Sequence, residues 1–186
     1  MTILFRTKLQ QDLQKLCEQA RIIGFAGYKV IKTKYLIFDQ RALLQCMNCK
    51  NYGVKHTCPP FDTHLDYEKI FKSFKYGMFC WVRYEFNNKE EFDAVRTKST
   101  NDLHLKILKL ERHAFDMGHH YAMAFIGGSC KLCKECAQGQ CRNPAKSRVP
   151  MESTGIDVCE TMKKYGLDLK FPVEHELYRI GLLLVE

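Results

Sequence analysis

Cys130, Cys133, Cys136 and Cys141 place four thiols within a dozen residues, and no other stretch limits the possible folds so sharply. The first three recur at every third position, so a loosely coiled turn points their sulfurs to one side. A body as large as an iron–sulfur cubane fits among thiols so arranged. Gly127 and Gly128 stand just before the run. They allow the backbone to turn closely over a bulky anionic group and to aim amide N–H groups at its sulfurs; an ordinary strand-ending turn is the plainer alternative.

The run resembles the bacterial ferredoxin pattern C-x2-C-x2-C-x3-C-P, with two departures. The last gap is one residue longer, and Pro144 follows Cys141 by three positions instead of one. In ferredoxins with two clusters the fourth cysteine serves the other cluster, so the allegiance of Cys141 stays open.

A chain of 186 residues is long enough for one ordinary domain over 1–186 with a core that needs no staples. The start, Met1 to Arg6, lacks the long apolar segment of a signal peptide, and a cytoplasmic location is expected. No apolar run approaches bilayer length. In a reducing compartment, ten cysteines point to metal or redox chemistry before disulfides. The formal charge of +8 counts every cysteine as neutral. Each cubane on four thiolates would remove about two charges. The lysines Lys8, Lys15, Lys29, Lys32, Lys34, Lys69, Lys72 and Lys75 are scattered, which fits a solvated surface better than a nucleic-acid groove. Docking to an acidic redox partner protein remains open, and no membrane partner is expected.

A second cluster comprises Cys46-Met47-Asn48-Cys49 and His56-Thr57-Cys58-Pro59-Pro60. Cys58 is followed directly by proline, as a closing ferredoxin ligand is. Three cysteines leave a cubane one ligand short. Cys141, Cys159, His56, a substrate or water at an open iron could fill the corner. Alternatively His56 and Cys58 join Cys46 and Cys49 around zinc.

Along the rest of the chain, Leu9, Leu13, Leu16, Ala20 and Ile23 mark an amphipathic helix ending at Gly24. Tyr28 to Phe38 reads as extended chain with a hairpin through Lys32-Thr33-Lys34. Thr63 is a candidate cap for a helix carrying Leu65 to Phe74, and Met78 to Phe86 reads as a strand. A long helix is expected from Lys89 to Met117, opened by Asn88 and Glu91, with an interruption at Thr97 to Asn101. His104 and His113 read as surface or boundary histidines. Tyr121 to Ile126 is a short strand, Ser153 or Thr154 caps a helix reaching Tyr165, and Leu177 to Val185 is a last strand. Cys17, Cys80 and Cys159 read as packing or spare thiols. Arg142, Lys146 and Arg148 place positive charge beside the main cluster, either offsetting a cofactor or sitting in a solvated loop. The alternation implies an α+β or α/β sandwich, a compact sheet flanked by helices with cysteine-rich metal-binding loops on one side.

Taken together, Cys46-x-x-Cys49, Tyr52-Gly53, Cys58-Pro59-Pro60, Gly127-Gly128-x-Cys130-x-x-Cys133-x-x-Cys136, Cys141-Arg142-x-Pro144, Arg148-x-Pro150-x-Glu152 and Gly155-Ile156-Asp157-Val158 form a recognisable order. The whole resembles the cysteine-rich predicted metal-binding family catalogued as domain of unknown function 2284. The resemblance implies metal binding, iron–sulfur by expectation, in prokaryotes, and no settled reaction.

Three functions compete. The first is an iron–sulfur protein with a 4Fe-4S cluster on Cys130, Cys133, Cys136 and Cys141 and a second on Cys46, Cys49 and Cys58, passing electrons to or from a partner. Its catalytic variant, an oxidoreductase or other iron–sulfur enzyme, uses an open iron with Glu152 or Asp157 as acid or base. The second is a zinc-stabilised nucleic-acid or protein-binding module, and the third a thiol oxidoreductase. The surplus of clustered cysteines counts against the third.

Overall fold

The computed structural model describes residues 7–61 and 64–186. Helix α1, Lys8–Ile23, opens with a capping box: the Thr7 hydroxyl accepts from the Gln10 N–H, and the Gln10 side chain accepts from that of Thr7. Gly24, at φ 86°, ends it. Its face of Leu13, Leu16 and Ala20 is buried as the spacing predicts.

Four strands, β1 (Gly27–Lys32), β2 (Tyr76–Glu85), β3 (Met123–Phe125) and β4 (Glu176–Leu184), form one sheet in the order β1-β2-β4-β3, and every pair is antiparallel. The fold is α+β. Alternation along the strands sends side chains to both faces, and both are covered. Met78, Cys80, Val82, Ala124 and Leu183 pack against α1 and the long helix α4 (Lys89–Asp116). Phe79, Phe125, Ile180, Leu182 and Leu184 pack on the other side. There they meet Phe71 of α3 (Tyr67–Ser73), Met162 of α5 (Val158–Lys164), Met151 and Ile156. Each such side chain contributes about 1.5–3 kcal/mol by leaving water. Gly181 lets α4 lie directly on β4, since a Cβ there would fall 2.5 Å from Ile107 Cδ1.

Several local expectations are revised. The chain after β1 forms a 3-10 turn, Thr33–Tyr35, not a hairpin; β1 pairs with the distant β2, and Phe38 makes an isolated bridge to Ile156. Thr63 lies outside the described residues, and Asp66 caps α3 by accepting from the Lys69 N–H. Helix α4 is not interrupted at Thr97 to Asn101. There the Ser99 and Thr100 hydroxyls donate back to the Arg96 carbonyl and spare the helical ladder. Its Asn88 cap accepts from Glu91 N–H, while the Glu91 carboxylate returns to the N–H of Asn87, one residue earlier than a capping box requires. Asp157, not Ser153 or Thr154, caps α5; those two hydroxyls donate to Pro150 and Met151 inside a 3-10 turn, Met151–Thr154.

His104 is fully buried, against expectation, with its Nε2–H donating to the Lys146 carbonyl at 2.8 Å. Cys80 is buried in the core and Cys17 half-buried beside it. Burial pushes both thiols up, as packing residues require. Among the described residues no helix is long and apolar enough to cross a membrane.

Candidate metal centre

The first cysteine loop is delivered by an anchored segment. The Asp39 N–H donates to the Gly155 carbonyl at 2.8 Å, and that of Asp157 to Ile37 at 2.9 Å. Helix α2, Arg41–Met47, follows and lies against the Met151–Thr154 turn. Cys46 sits in its last turn. A chain of turns then carries the backbone from Cys46 to Cys49, with a Cys49 N–H bond to the Cys46 carbonyl at 3.0 Å. Gly53, at φ 66°, occupies the left-handed region and closes the loop through its N–H on the Pro59 carbonyl at 2.9 Å. Cys46, Cys49 and Cys58 line one cavity of about 110 Å³, whose remaining wall includes Gly128, Ser129 and Glu152. A water needs roughly 10–15 Å³ by this kind of measure, so the space takes a body of several atoms.

The second loop springs from β3. Past the strand, Ile126 runs beside Pro150, with its N–H on the Val149 carbonyl and its carbonyl receiving Met151 N–H at 2.8 Å. Gly127 is forced by the neighbouring strand: a Cβ would stand 2.5 Å from the Ile180 oxygen. Gly128, at φ 77°, turns the chain, and its N–H donates to both Glu152 carboxylate oxygens at 3.2 Å. That amide therefore meets a carboxylate, not a sulfur, and of the two readings left open for the glycine pair the turn is the one seen at Gly128.

Asn143 organises the thiols beyond. Its backbone N–H donates to Cys141 Sγ at 3.4 Å and its side-chain amide to Cys133 Sγ at 3.1 Å. Burial pushes the Cys130 thiol up, opposed by the Leu132 N–H and Lys55, while Cys136 and Cys141 add to the rise. Cys141 thus stands among the thiols of its own run. Helix α4 holds the loop's exit twice, through His104 on Lys146 and through Glu111, which pairs with the Arg148 guanidinium and accepts from Ala124 N–H at 2.6 Å. Arg148, read from sequence as a possible counter-charge to a cofactor, is consumed by this structural pair.

The two loops touch. His56 Nε2–H donates to the Ala137 carbonyl at 3.0 Å, and the Asn51 amide donates to both Cys49 Sγ (3.6 Å) and Ser129 Oγ (3.2 Å). Around the junction the cations are less scattered than their sequence positions: burial lowers Lys131, and Arg179, Arg96, Lys55 and Lys50 lower it further. Glu152 is pushed up by burial, with its own and Gly128's N–H groups and Arg179 opposing.

All seven predicted cysteines fall in these two adjoining loops. Cys159 does not join them; it sits in the first turn of α5 and lines an outer cleft. The side chains missed from sequence are Asn51, Asn143 and His104. A signal for the first two existed, since each stands two residues after a cysteine, in Cys49-Lys50-Asn51 and Cys141-Arg142-Asn143. Among the described residues no three cysteine, histidine or carboxylate groups converge tightly enough to grip a single ion. The donor set nonetheless suits a polynuclear metal group: thiols, amide donors aimed at sulfur, and a cavity with room for several atoms.

No curated protein and no solved structure matches the chain. A family profile does, over residues 29–185, and with both cysteine loops inside that span the chain belongs to the predicted metal-binding proteins of domain of unknown function 2284.

Proposed function

We propose that this protein holds two 4Fe-4S clusters and transfers electrons to or from a protein partner. The observation that carries this reading is the adjacency of two thiol sets: Cys46, Cys49 and Cys58 around one cavity, and Cys130, Cys133, Cys136 and Cys141 in a loop hydrogen-bonded to theirs. Bound clusters supply one-electron exchange at potentials set by net charge, hydrogen bonds to sulfur and exposure.

The chain's own groups perform the rest. Asn143 and Asn51 donate to thiolate sulfurs and favour added negative charge on that side. Lys50, Lys55, Arg96 and Lys131 gather by the loops and suit an acidic redox partner, since opposite fields steer encounter. Zinc is the competitor. One zinc ion draws four donors to about 2.0–2.3 Å. Thiols spaced around a cavity of about 110 Å³ favour a larger group, and His56, the nitrogen ligand a zinc site would need, is not on the wall of that cavity.

Anaerobic purification followed by iron, acid-labile sulfide and zinc determination, with visible spectra before and after dithionite, tests the proposal. About eight irons and eight sulfides per chain with absorbance that bleaches on reduction are expected. Zinc without sulfide overturns it and directs attention to nucleic-acid or protein binding.

A further inference from the structure

The cavity lined by Cys46, Cys49 and Cys58 has a neighbour. An open cleft of about 1420 Å³ runs along α5 and β4, past Asp157, Cys159, Tyr178 and Arg179. Glu152 is the residue common to the walls of both spaces. Its carboxylate is held by its own N–H and by that of Gly128, the latter at 3.2 Å to each oxygen, contacts long enough to leave lone pairs uncommitted. Among the described residues Glu152 makes no ion pair with lysine, arginine or histidine. A half-buried carboxylate with only the more distant Arg179 charge to offset it is costly, and a metal in the same cavity would relieve that cost.

Resting on the iron–sulfur reading above, we infer that Glu152 is the fourth, oxygen-donating ligand of the Cys46, Cys49 and Cys58 site. Three thiolates take three corners of a 4Fe-4S core, and the carboxylate takes the remaining iron. The other candidates for that corner are placed elsewhere. Cys141 is tied to Cys133 through Asn143, Cys159 lines the cleft instead of the cavity, and neither Cys141 nor His56 is on the cavity wall. Oxygen binds iron less tenaciously than thiolate does, and Glu152 faces the cleft as well as the cavity. The corner it holds is therefore the exchangeable one, reachable by a small molecule from the cleft without opening the thiol cage.

The test compares wild type with Glu152→Gln, both purified without oxygen. Glutamine keeps the volume and an acceptor for the Gly128 N–H but removes the anionic donor. Iron, sulfide and the electron paramagnetic resonance spectrum are recorded before and after one equivalent of ferricyanide. Loss of the corner releases one ferrous ion and gives one electron to the oxidant, turning a 4Fe-4S core of charge +2 into a 3Fe-4S core of charge +1. The variant is expected to hold about one iron fewer than wild type at unchanged sulfide, and to give a strong three-iron signal. Equal iron and no three-iron signal in Glu152→Gln overturn the inference while leaving the two-cluster reading intact. Wild type without sulfide overturns both. Should the variant fail to fold, Mössbauer spectra of iron-57-enriched wild type decide: one iron distinct from its sulfur-ligated neighbours supports Glu152, and uniformly sulfur-ligated iron overturns it.

Discussion

The two cysteine loops carry the same donor atom in different settings. The loop from Cys130 to Cys141 has four thiols, an asparagine that bonds two of them, and two ties to helix α4. The loop from Cys46 to Cys58 has three thiols, an internal cavity and a carboxylate that also faces a cleft. The first arrangement is braced, with its four thiols half-buried. The second is incomplete in thiols and open to visitors. On the iron–sulfur reading proposed above, the fourth donor and the path to it distinguish a relay from a reactive site more than the number of cysteines does.

The largest effect expected concerns whether the loops load independently. Cys58→Ser and Cys133→Ser should each remove about four irons of eight, measured as iron and sulfide per chain, and leave the other site filled. If either substitution empties both, the two loops are a single unit and the comparison breaks.

Next is bracing. Glu111→Ala strands the mostly buried Arg148 and removes the acceptor for Ala124 N–H, a change worth roughly 3–5 kcal/mol. The melting temperature should fall on the order of 10 °C. Asp39→Ala beside the first loop removes a solvent-screened pair with the exposed Arg41 and one acceptor for the Arg41 N–H at the start of α2, and should lower it by much less. Thermal unfolding of both variants sharpens the contrast or removes it.

The smallest effect is electronic. Asn143→Ala deletes a 3.1 Å bond to Cys133 Sγ, whereas Asn51→Ala deletes a longer 3.6 Å bond to Cys49 Sγ. Losing a donor to sulfur disfavours the reduced, more negative state. A tenfold shift in that balance is about 59 mV for one electron. Redox titration should find the Asn143 variant lowered by a shift of that order and the Asn51 variant by less.

Much of this was legible in the residues themselves. The period of Leu13, Leu16 and Ala20, the left-handed glycine at 24 and the apolar run from Met78 gave helix, stop and strand, because local spacing determines which side can be buried. Spacing sorted the seven candidate cysteines into two sets, and the fold brings those two loops into contact. What stayed hidden depended on partners distant in sequence. His104 looks like a boundary residue until Lys146, 42 residues away, supplies its acceptor. Arg148 reads as a loop charge until Glu111 is seen beside it. Glu152 stood in a recognisable motif, but its place on the wall of the thiol cavity is set by the pairing of Ile126 with Pro150 and of Phe38 with Ile156, bridges that no local pattern announces. Capping was misjudged at α3 and α5 for a related reason: several polar residues compete at each start, and the strand connections choose Asp66 and Asp157.

The order of the sheet has a consequence for biosynthesis. Strand β4 is made after both cysteine loops, yet it lies between β2 and β3 and is the strand on which β3 pairs. During translation the thiol loops therefore emerge before the surface that positions them exists, and the nascent chain carries its cysteines unsheltered until residues 176–184 arrive. Oxidants therefore have access to those thiols in the interval between synthesis of Cys46 and closure of β4, before any metal group of the kind proposed above could be enclosed.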